Sequence, residues 1–267
     1  MGKINELMNL NGRQALLTGA SGGLGEVIAN TLAELGADLI LVDRAGSNLE
    51  TLSASIASRH HIKVEFQYCD LEIQSERVEL IQWVKNNKKK INILINNAAF
   101  VGTSDLSGWA VPFEEQTVET WRRALEVNLV AAFHLCQGFA PIMKLTKGPN
   151  IVNVASIYGQ FAPDWSLYDG TSMGNPAAYN ASKGGLMQLS RWLATTLAPE
   201  IRVNTISPGG IYRNQPDIFV KRYEAKTPLA RMASEEDFIG AIVYLCSDLS
   251  NYVTGHNLMI DGGWGIW

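Results

Sequence analysis

The feature that most restricts the fold is a rhythm: short apolar runs of strand length recur along the chain, separated by longer stretches with helical spacing. Seven such runs stand at 15–17, 39–42, 64–66, 91–95, 151–154, 202–206 and 258–260, with helical patterns near 24–35, 47–59, 74–87, 117–143, 177–198 and 235–247. Strands that are apolar on both faces need cover on both faces, and strand–helix alternation supplies it. The expectation is therefore an α/β fold, a doubly wound seven-stranded parallel sheet with helices on both faces. No linker, internal repeat or low-complexity segment interrupts the pattern, so residues 1–267 read as a single domain.

A chain of 267 residues with 46% apolar and 18% charged residues buries a real core and is too apolar to be disordered. Its net charge of −4 offers no basic footprint for nucleic acid. The run Lys88-Lys89-Lys90 falls between a helix and a strand, where a solvated turn is expected. No apolar run approaches the roughly 18 residues of a membrane span, so no membrane partner is expected. The first residues, MGKINELMNLNGRQ, lack a leader's apolar stretch, and Glu6 breaks the pattern for myristoylation. Cys69, Cys136 and Cys246 are scattered and odd in number, which suits reduced core thiols and a cytoplasmic location. The four histidines, His60, His61, His134 and His256, lack ligand spacing, so no metal is expected.

The first apolar run leads into Thr18-Gly19-Ala20-Ser21-Gly22-Gly23-Leu24-Gly25, and a helical pattern opens directly behind it. A tight glycine turn between strand and helix lets backbone N–H groups and the positive helix end face a pyrophosphate. The fold is then of the Rossmann type. The second run ends in Asp43, placed to accept hydrogen bonds from the adenosine ribose hydroxyls and to repel a 2′-phosphate. Position 22, where a basic residue would help hold that phosphate, is glycine. The expected cofactor is NAD rather than NADP, with Arg44 lying over the adenine or in solvent.

The spacing from Thr18 to Gly25 resembles the short-chain dehydrogenase/reductase family in its single-domain, NAD(P)(H)-dependent branch. Further matches run nearly end to end: Cys69-Asp70-Leu71, Asn96-Asn97-Ala98-Ala99, Asn128, Ser156, Tyr179 with Lys183, Pro208-Gly209, Thr254-Gly255 and Asp261-Gly262-Gly263. Within the family the chain is similar to gluconate 5-dehydrogenase-like and 3-oxoacyl-(acyl carrier protein) reductase-like members. The resemblance implies an oxidoreductase in which Gly19 and Ser21 to Gly25, with Gly22, Gly23 and Leu24, cradle the pyrophosphate. Cys69, Asp70 and Leu71 would embrace the adenine, and Asn97, Ala98 and Ala99 would line the adenosine side. Pro208, Gly209, Gly210 and Ile211 would hold the nicotinamide carboxamide. Ala99 stands where the family more often has glycine.

Tyr179 and Lys183 lie one helical turn apart behind Pro176, so both side chains leave one face. A phenol with an ordinary pKa of about 10 is a poor base at neutral pH and needs a nearby cation. Alone, such a pair is commonly a surface pair. The resemblance assigns Tyr179 as general acid/base, Lys183 as the group that lowers its pKa and binds the nicotinamide ribose, and Ser156 as partner of the reacting oxygen. Asn128 would hold a water that links Lys183 to solvent.

Two departures from the family bear on substrate. The gap from Ser156 to Tyr179 is longer than usual, and residues 160–176 form an insertion beside the expected active site, with Phe161, Asp164, Trp165, Tyr168 and Asp169. Aromatic faces mixed with short polar groups suit a hydroxylated, sugar-like ligand; a packed flap or an oligomer contact is the equal alternative. Arg213 replaces the family's usual threonine and could fork onto a carboxylate or phosphate of substrate or cofactor. Residues from about 212 to 232 correspond to the family's substrate lid; Lys221, Arg222, Lys226 and Arg231 could equally be a solvated face paired with Glu224. Ser156, Tyr158, Trp165 and Arg213 are the substrate-facing candidates, and residues 100–113, with Trp109, form the expected opposite wall. Trp264 and Trp267 at the chain end suit a subunit contact in a homotetramer or dimer. The expected activity is NAD(H)-dependent interconversion of a secondary alcohol and a ketone on a sugar, polyol, sugar phosphate or nucleotide sugar. A 3-oxoacyl-thioester reductase and a catalytically silent cofactor-sensing protein remain as alternatives.

Overall fold

The computed structural model describes residues 2–100 and 106–267; residues 101–105 of the expected pocket wall lie outside the described residues. The strands are β1 (Gln14–Thr18), β2 (Asp38–Asp43), β3 (Val64–Tyr68), β4 (Ile93–Asn96), β5 (Asn150–Val154), β6 (Arg202–Pro208) and β7 (Asn257–Ile260). They form one seven-stranded sheet in the order β3-β2-β1-β4-β5-β6-β7, with every pairing parallel. Each expected strand is present. The described helices are α1 (Lys3–Met8), α2 (Gly23–Glu34), α3 (Leu49–His60), α4 (Gln74–Asn86), α5 (Val118–Leu125), α6 (Ala131–Met143), α7 (Ala177–Leu197), α8 (Asp217–Lys226) and α9 (Ile239–Cys246).

Alternation along the strands builds two cores. Ala15 and Leu17 of β1 and Leu39 and Leu41 of β2 point to one face, against Ile28 and Leu32 of α2, Ile56 of α3 and Ile242 of α9. Leu16 and Ile40 point to the other, against Leu80 of α4, Leu135 and Phe139 of α6 and Leu193 of α7. Each buried Leu, Ile or Phe among them contributes about 1.5–3 kcal/mol relative to exposure, so both faces of the sheet are stabilised together. The doubly wound expectation holds.

The helical pattern expected at 117–143 is continuous but contains a π-helical turn, Glu126–Val130, between α5 and α6. Within its 26 residues an 18-residue window reaches a mean hydropathy of 1.2, so the helix is long and apolar enough by composition to cross a membrane. Ala131, Leu135, Phe139 and Met143 are nevertheless buried in the second core, as in a core helix.

Strand order reverses between β1 and β4, which opens a crevice at their carboxyl ends. Asn97 staples that crevice: its Nδ2 donates to Thr18 O at 3.1 Å and Gly19 O at 3.0 Å. The chain end corrects an expectation. Gly262 and Gly263, at φ 65° and 88°, turn the tail back onto the molecule, and Trp264 is buried and stacked on Tyr223 at 6.1 Å. Trp264 is thus an internal contact, whereas Ile266 and Trp267 stay exposed.

Candidate active site

A cavity of about 770 Å³ runs along the carboxyl ends of the strands, from the glycine loop past β4, β5 and β6. Such a volume lies in the range of small-molecule and cofactor sites. At one end the loop leaves no room for side chains. A Cβ on Gly19 would lie 2.7 Å from Ala98 Cα, and one on Gly25 would overlap the carbonyl oxygen of Gly19. Gly22 to Gly25 line the cavity where α2 begins, so the open backbone donors of its first turn and its positive dipole end face the space. A dinucleotide pyrophosphate fits this cradle.

Asp43 stands beside the loop at the tip of β2. Its Oδ2 accepts from Ser21 N at 2.9 Å and Ser21 Oγ at 2.6 Å, and its Oδ1 accepts from Arg44 N at 2.8 Å. Cys69, Asp70 and Leu71 close that end of the cavity. Behind them Arg77 is fully buried: it donates to Leu71 O, to Glu126 Oε1 at 2.5 Å and to His134 Nδ1 at 3.3 Å. One guanidinium thereby ties the segment after β3 to the π-helical turn. Burial, with the neighbouring Arg77 charge second, holds the His134 imidazole below its usual range.

At the ends of β5 and β6, Ser156, Tyr179 and Lys183 line the same cavity. Lys183 is buried, donates from Nζ to Val154 O at 2.8 Å and lies 5.7 Å from the centre of the Tyr179 ring. Desolvation lowers its pKa to about 8. Burial pushes the Tyr179 phenol up, while a hydrogen bond with Ser156 and the charge of Arg213 draw it down. Asn128 does not line the cavity. Its Oδ1 accepts from Phe100 N at 2.6 Å, and its Nδ2 donates to Ser182 Oγ at 2.9 Å. Ser182 Oγ in turn donates to Tyr179 O at 2.8 Å, so Asn128 braces the helical turn between Tyr179 and Lys183.

The remaining end is walled by Tyr158, Tyr168, Met173, Arg213, Gln215 and Phe219. The hydroxyls of Tyr158 and Tyr168 are 2.8 Å apart, and Asn175 Nδ2 donates to the Tyr168 hydroxyl at 3.0 Å. The insertion therefore reaches the cavity through Tyr168 and Met173, not Trp165. Trp165 is 59% exposed and packs at a tilt on Tyr168, with ring centres 5.8 Å apart, outside the cavity. Asp164 caps a 3-10 turn, Trp165–Leu167, that directs Leu167 inward and leaves Trp165 outside.

The lid segment contains α8, which docks on the insertion: Arg222 donates to Asp169 O, Lys226 pairs with Asp164, and Phe219 packs against Tyr168 at 5.4 Å. Arg231 forks onto Asp237 at 2.6 and 2.7 Å. None of these cations takes Glu224. Every other residue assigned to cofactor or substrate contact from the sequence lines the cavity; of the expected opposite wall Phe100 and Leu106 line it, whereas Trp109 is buried behind them in a separate apolar cluster. Tyr223, which accepts a hydrogen bond from Gly210 N at 2.6 Å, and Glu235 were missed, because no motif or spacing marks them.

A family model described as enoyl-(acyl carrier protein) reductase matches residues 19–265. D-Arabinitol 2-dehydrogenase (ribulose-forming) of Candida tropicalis is 32% identical over 281 residues, covering 97% of this chain and 94% of that protein. A short-chain dehydrogenase of Leptospira borgpetersenii, solved with bound NAD+, is 33% identical with a TM-score of 0.84, covering 99% of this chain and 96% of that one. L-Sorbose reductase of Gluconobacter frateurii, solved with NADPH and L-sorbose, is 28% identical with a TM-score of 0.84 and covers 97% of this chain and 98% of its own.

Proposed function

The chain belongs to the short-chain dehydrogenase/reductase family of oxidoreductases, and from that premise we propose that it interconverts a secondary alcohol and a ketone on a polyol or sugar, with NAD(H) as cofactor. The observation that carries this reading is the meeting of Ser156, Tyr179 and Lys183 in the cavity that the glycine cradle opens. Relatives whose names specify arabinitol and sorbose support the substrate class.

A bound nicotinamide would supply or accept the hydride at the carbinol carbon. Ser156 Oγ would hold the carbinol oxygen, and Tyr179 would take its proton in oxidation or return it in reduction. The phenol is driven toward its neutral form by burial, so the neighbouring Lys183, cationic below about pH 8, would be the group that makes the phenolate accessible. Asn128, through Ser182, would keep Tyr179 and Lys183 in register. Asp43 would accept from the ribose hydroxyls through its Oδ1 while Ser21 holds its Oδ2, and its charge would oppose a 2′-phosphate.

The test is initial rates on neutral polyols, aldonates, ketoses and acetoacetyl thioesters, each with both nicotinamide cofactors. Polyol or sugar turnover with preference for NAD(H), lowered at least about a hundredfold in Tyr179→Phe, is the expected result. Preference for thioesters with NADPH would replace this reading with a 3-oxoacyl reductase. Cofactor binding without turnover of any substrate would leave a cofactor sensor.

A further inference from the structure

Arg213 stands on a mount that the fold builds around it. Its backbone N donates to Gln215 Oε1 at 2.7 Å, and Gln215 Nε2 donates back to Ile211 O at 2.8 Å. The same side chain thus closes both sides of the 211–215 turn, in which Asn214 takes the left-handed φ of 57°. Backbone in that region persists where its surroundings hold it in place. The guanidinium is fixed by one edge only, where Nε donates to Glu235 Oε1 at 3.0 Å. Its two Nη groups donate to no protein acceptor among the described residues, and an Nη pair can fork onto a carboxylate or phosphate.

The surroundings agree. The other lid cations that pair, Arg222, Lys226 and Arg231, are engaged with the insertion or with Asp237. Among the described residues, the carboxylates that line the cavity, Asp43, Asp70 and Glu72, stand at the adenosine end. At the substrate end the described charged lining groups are Arg213 and Lys183, both cations, beside the hydroxyls of Tyr158 and Tyr168. Among the described residues at that end, an anionic group would meet hydrogen-bond donors and no carboxylate that lines the cavity.

We propose that Arg213, aligned by Glu235, determines specificity by holding a carboxylate or phosphate at the end of the substrate away from the reacting carbinol. This rests on the oxidoreductase reading above. The cofactor's own pyrophosphate is the other source of the same chemistry. Glu235 Oε1 would lie 2.8 Å from a Cβ on Gly23, so the Arg213–Glu235 pair stands between the phosphate cradle and the substrate end.

The experiment separates these sources. Binding to the enzyme–NADH complex, read by nicotinamide fluorescence, and kcat/KM with NAD+ are compared for D-gluconate, D-sorbitol 6-phosphate and neutral D-sorbitol, which share a six-carbon skeleton. NADH affinity is measured alongside without any substrate. The wild-type protein is expected to favour at least one anion over D-sorbitol by roughly 10- to 100-fold. Arg213→Gln should erase that preference through KM while leaving NADH affinity within about twofold, and Arg213→Lys should restore part of it. Glu235→Gln should weaken the preference without removing it. No anion preference in the wild type, or an Arg213→Gln defect confined to NADH affinity, overturns the proposal. If nothing is turned over but anion binding remains dependent on Arg213, the subsite stands and the proposed reaction falls.

Discussion

Asp43 and Ser21 are joined twice, because Asp43 Oδ2 accepts from both the backbone N and the Oγ of Ser21, at 2.9 and 2.6 Å. The carboxylate at the tip of β2 therefore shapes the glycine loop as well as presenting an acceptor to a ribose. Asp43→Ala removes both roles, whereas Ser21→Ala removes one donor and leaves the charge.

Fluorescence titration should show Asp43→Ala weakening NADH by roughly 10- to 100-fold, as expected when a charged hydrogen-bonding group is lost, and relaxing the discrimination against NADPH. Ser21→Ala should weaken both cofactors by a few-fold, since a typical hydrogen bond contributes about 1 kcal/mol, and should keep their ratio. An unchanged cofactor ratio in Asp43→Ala would refute the assignment of NAD(H).

The pairing of Tyr179 with Lys183 gives a pH signature. Removing the cation from a phenol that burial already raises must raise it further. Lys183→Met should accordingly move the acid limb of the alcohol-oxidation profile upward by roughly one to two pH units, besides lowering the rate. Tyr179→Phe should lower kcat by roughly 10²- to 10⁴-fold with NADH affinity retained. A Lys183→Met profile superimposable on that of the wild type would remove Lys183 from the proton chemistry.

Legibility in the sequence followed the range of the interactions. The strands were readable because two-sided burial leaves continuous apolar runs, as in Leu39 to Val42, and the glycine cradle because its glycines stand in one short segment between an apolar run and a helical pattern. The π-helical turn at Glu126–Val130 was not readable, since one expanded turn hardly disturbs apolar spacing. Helix α1 is short and has no buried residue to mark it. Contacts set by the path of the insertion and tail were hidden as well. Trp165 and Tyr168 look alike as aromatic residues in a loop, and only the Asp164 cap decides which of them reaches the cavity. Glu235 could be joined to Arg213 only once the fold had brought the two segments together.

Tyr223 links the chain end to the cavity. Its hydroxyl accepts from Gly210 N at 2.6 Å, and its ring stacks on Trp264 at an interplanar angle of 17°. Tyr223→Phe keeps the stack and leaves the Gly210 N–H without that acceptor, so a loss of about 1 kcal/mol and a few-fold weaker NADH binding are expected. Trp264→Ala should cost about 3–5 kcal/mol through the void it leaves. Trp264→Phe should cost much less, because the indole Nε1 is buried with no hydrogen-bond partner among the described residues and its removal relieves that penalty. Urea unfolding checks all three, and a Trp264→Phe loss as large as that of Trp264→Ala would contradict the account.

Stability just above pH 9 should be governed by Cys69, Cys136 and Cys246, joined above pH 10 by the phenols of Tyr158, Tyr168, Tyr179 and Tyr223, which burial also raises. Burial raises each thiol from an ordinary 9.0 to about 12, so between pH 9 and 12 the native protein keeps protons that the unfolded chain releases. Stability contributed by a raised pKa is complete below the unfolded value and is lost as pH climbs to the folded one, at about 1.4 kcal/mol per pH unit for each thiol. Lys183 acts with the opposite sign: with its pKa lowered from 10.5 to about 8, it adds stability at the same rate between those values. From pH 8 to 9 Lys183 acts without the thiols, and above pH 9 three thiols outweigh one amine. Thermal unfolding under reducing conditions should thus show Tm highest near pH 9 and falling steeply above it. Replacing Cys136 and Cys246 by Ala should lower Tm at neutral pH through lost packing but flatten the decline above pH 9. A Tm that stays level from pH 9 to 11 in the wild type would contradict the burial of these thiols.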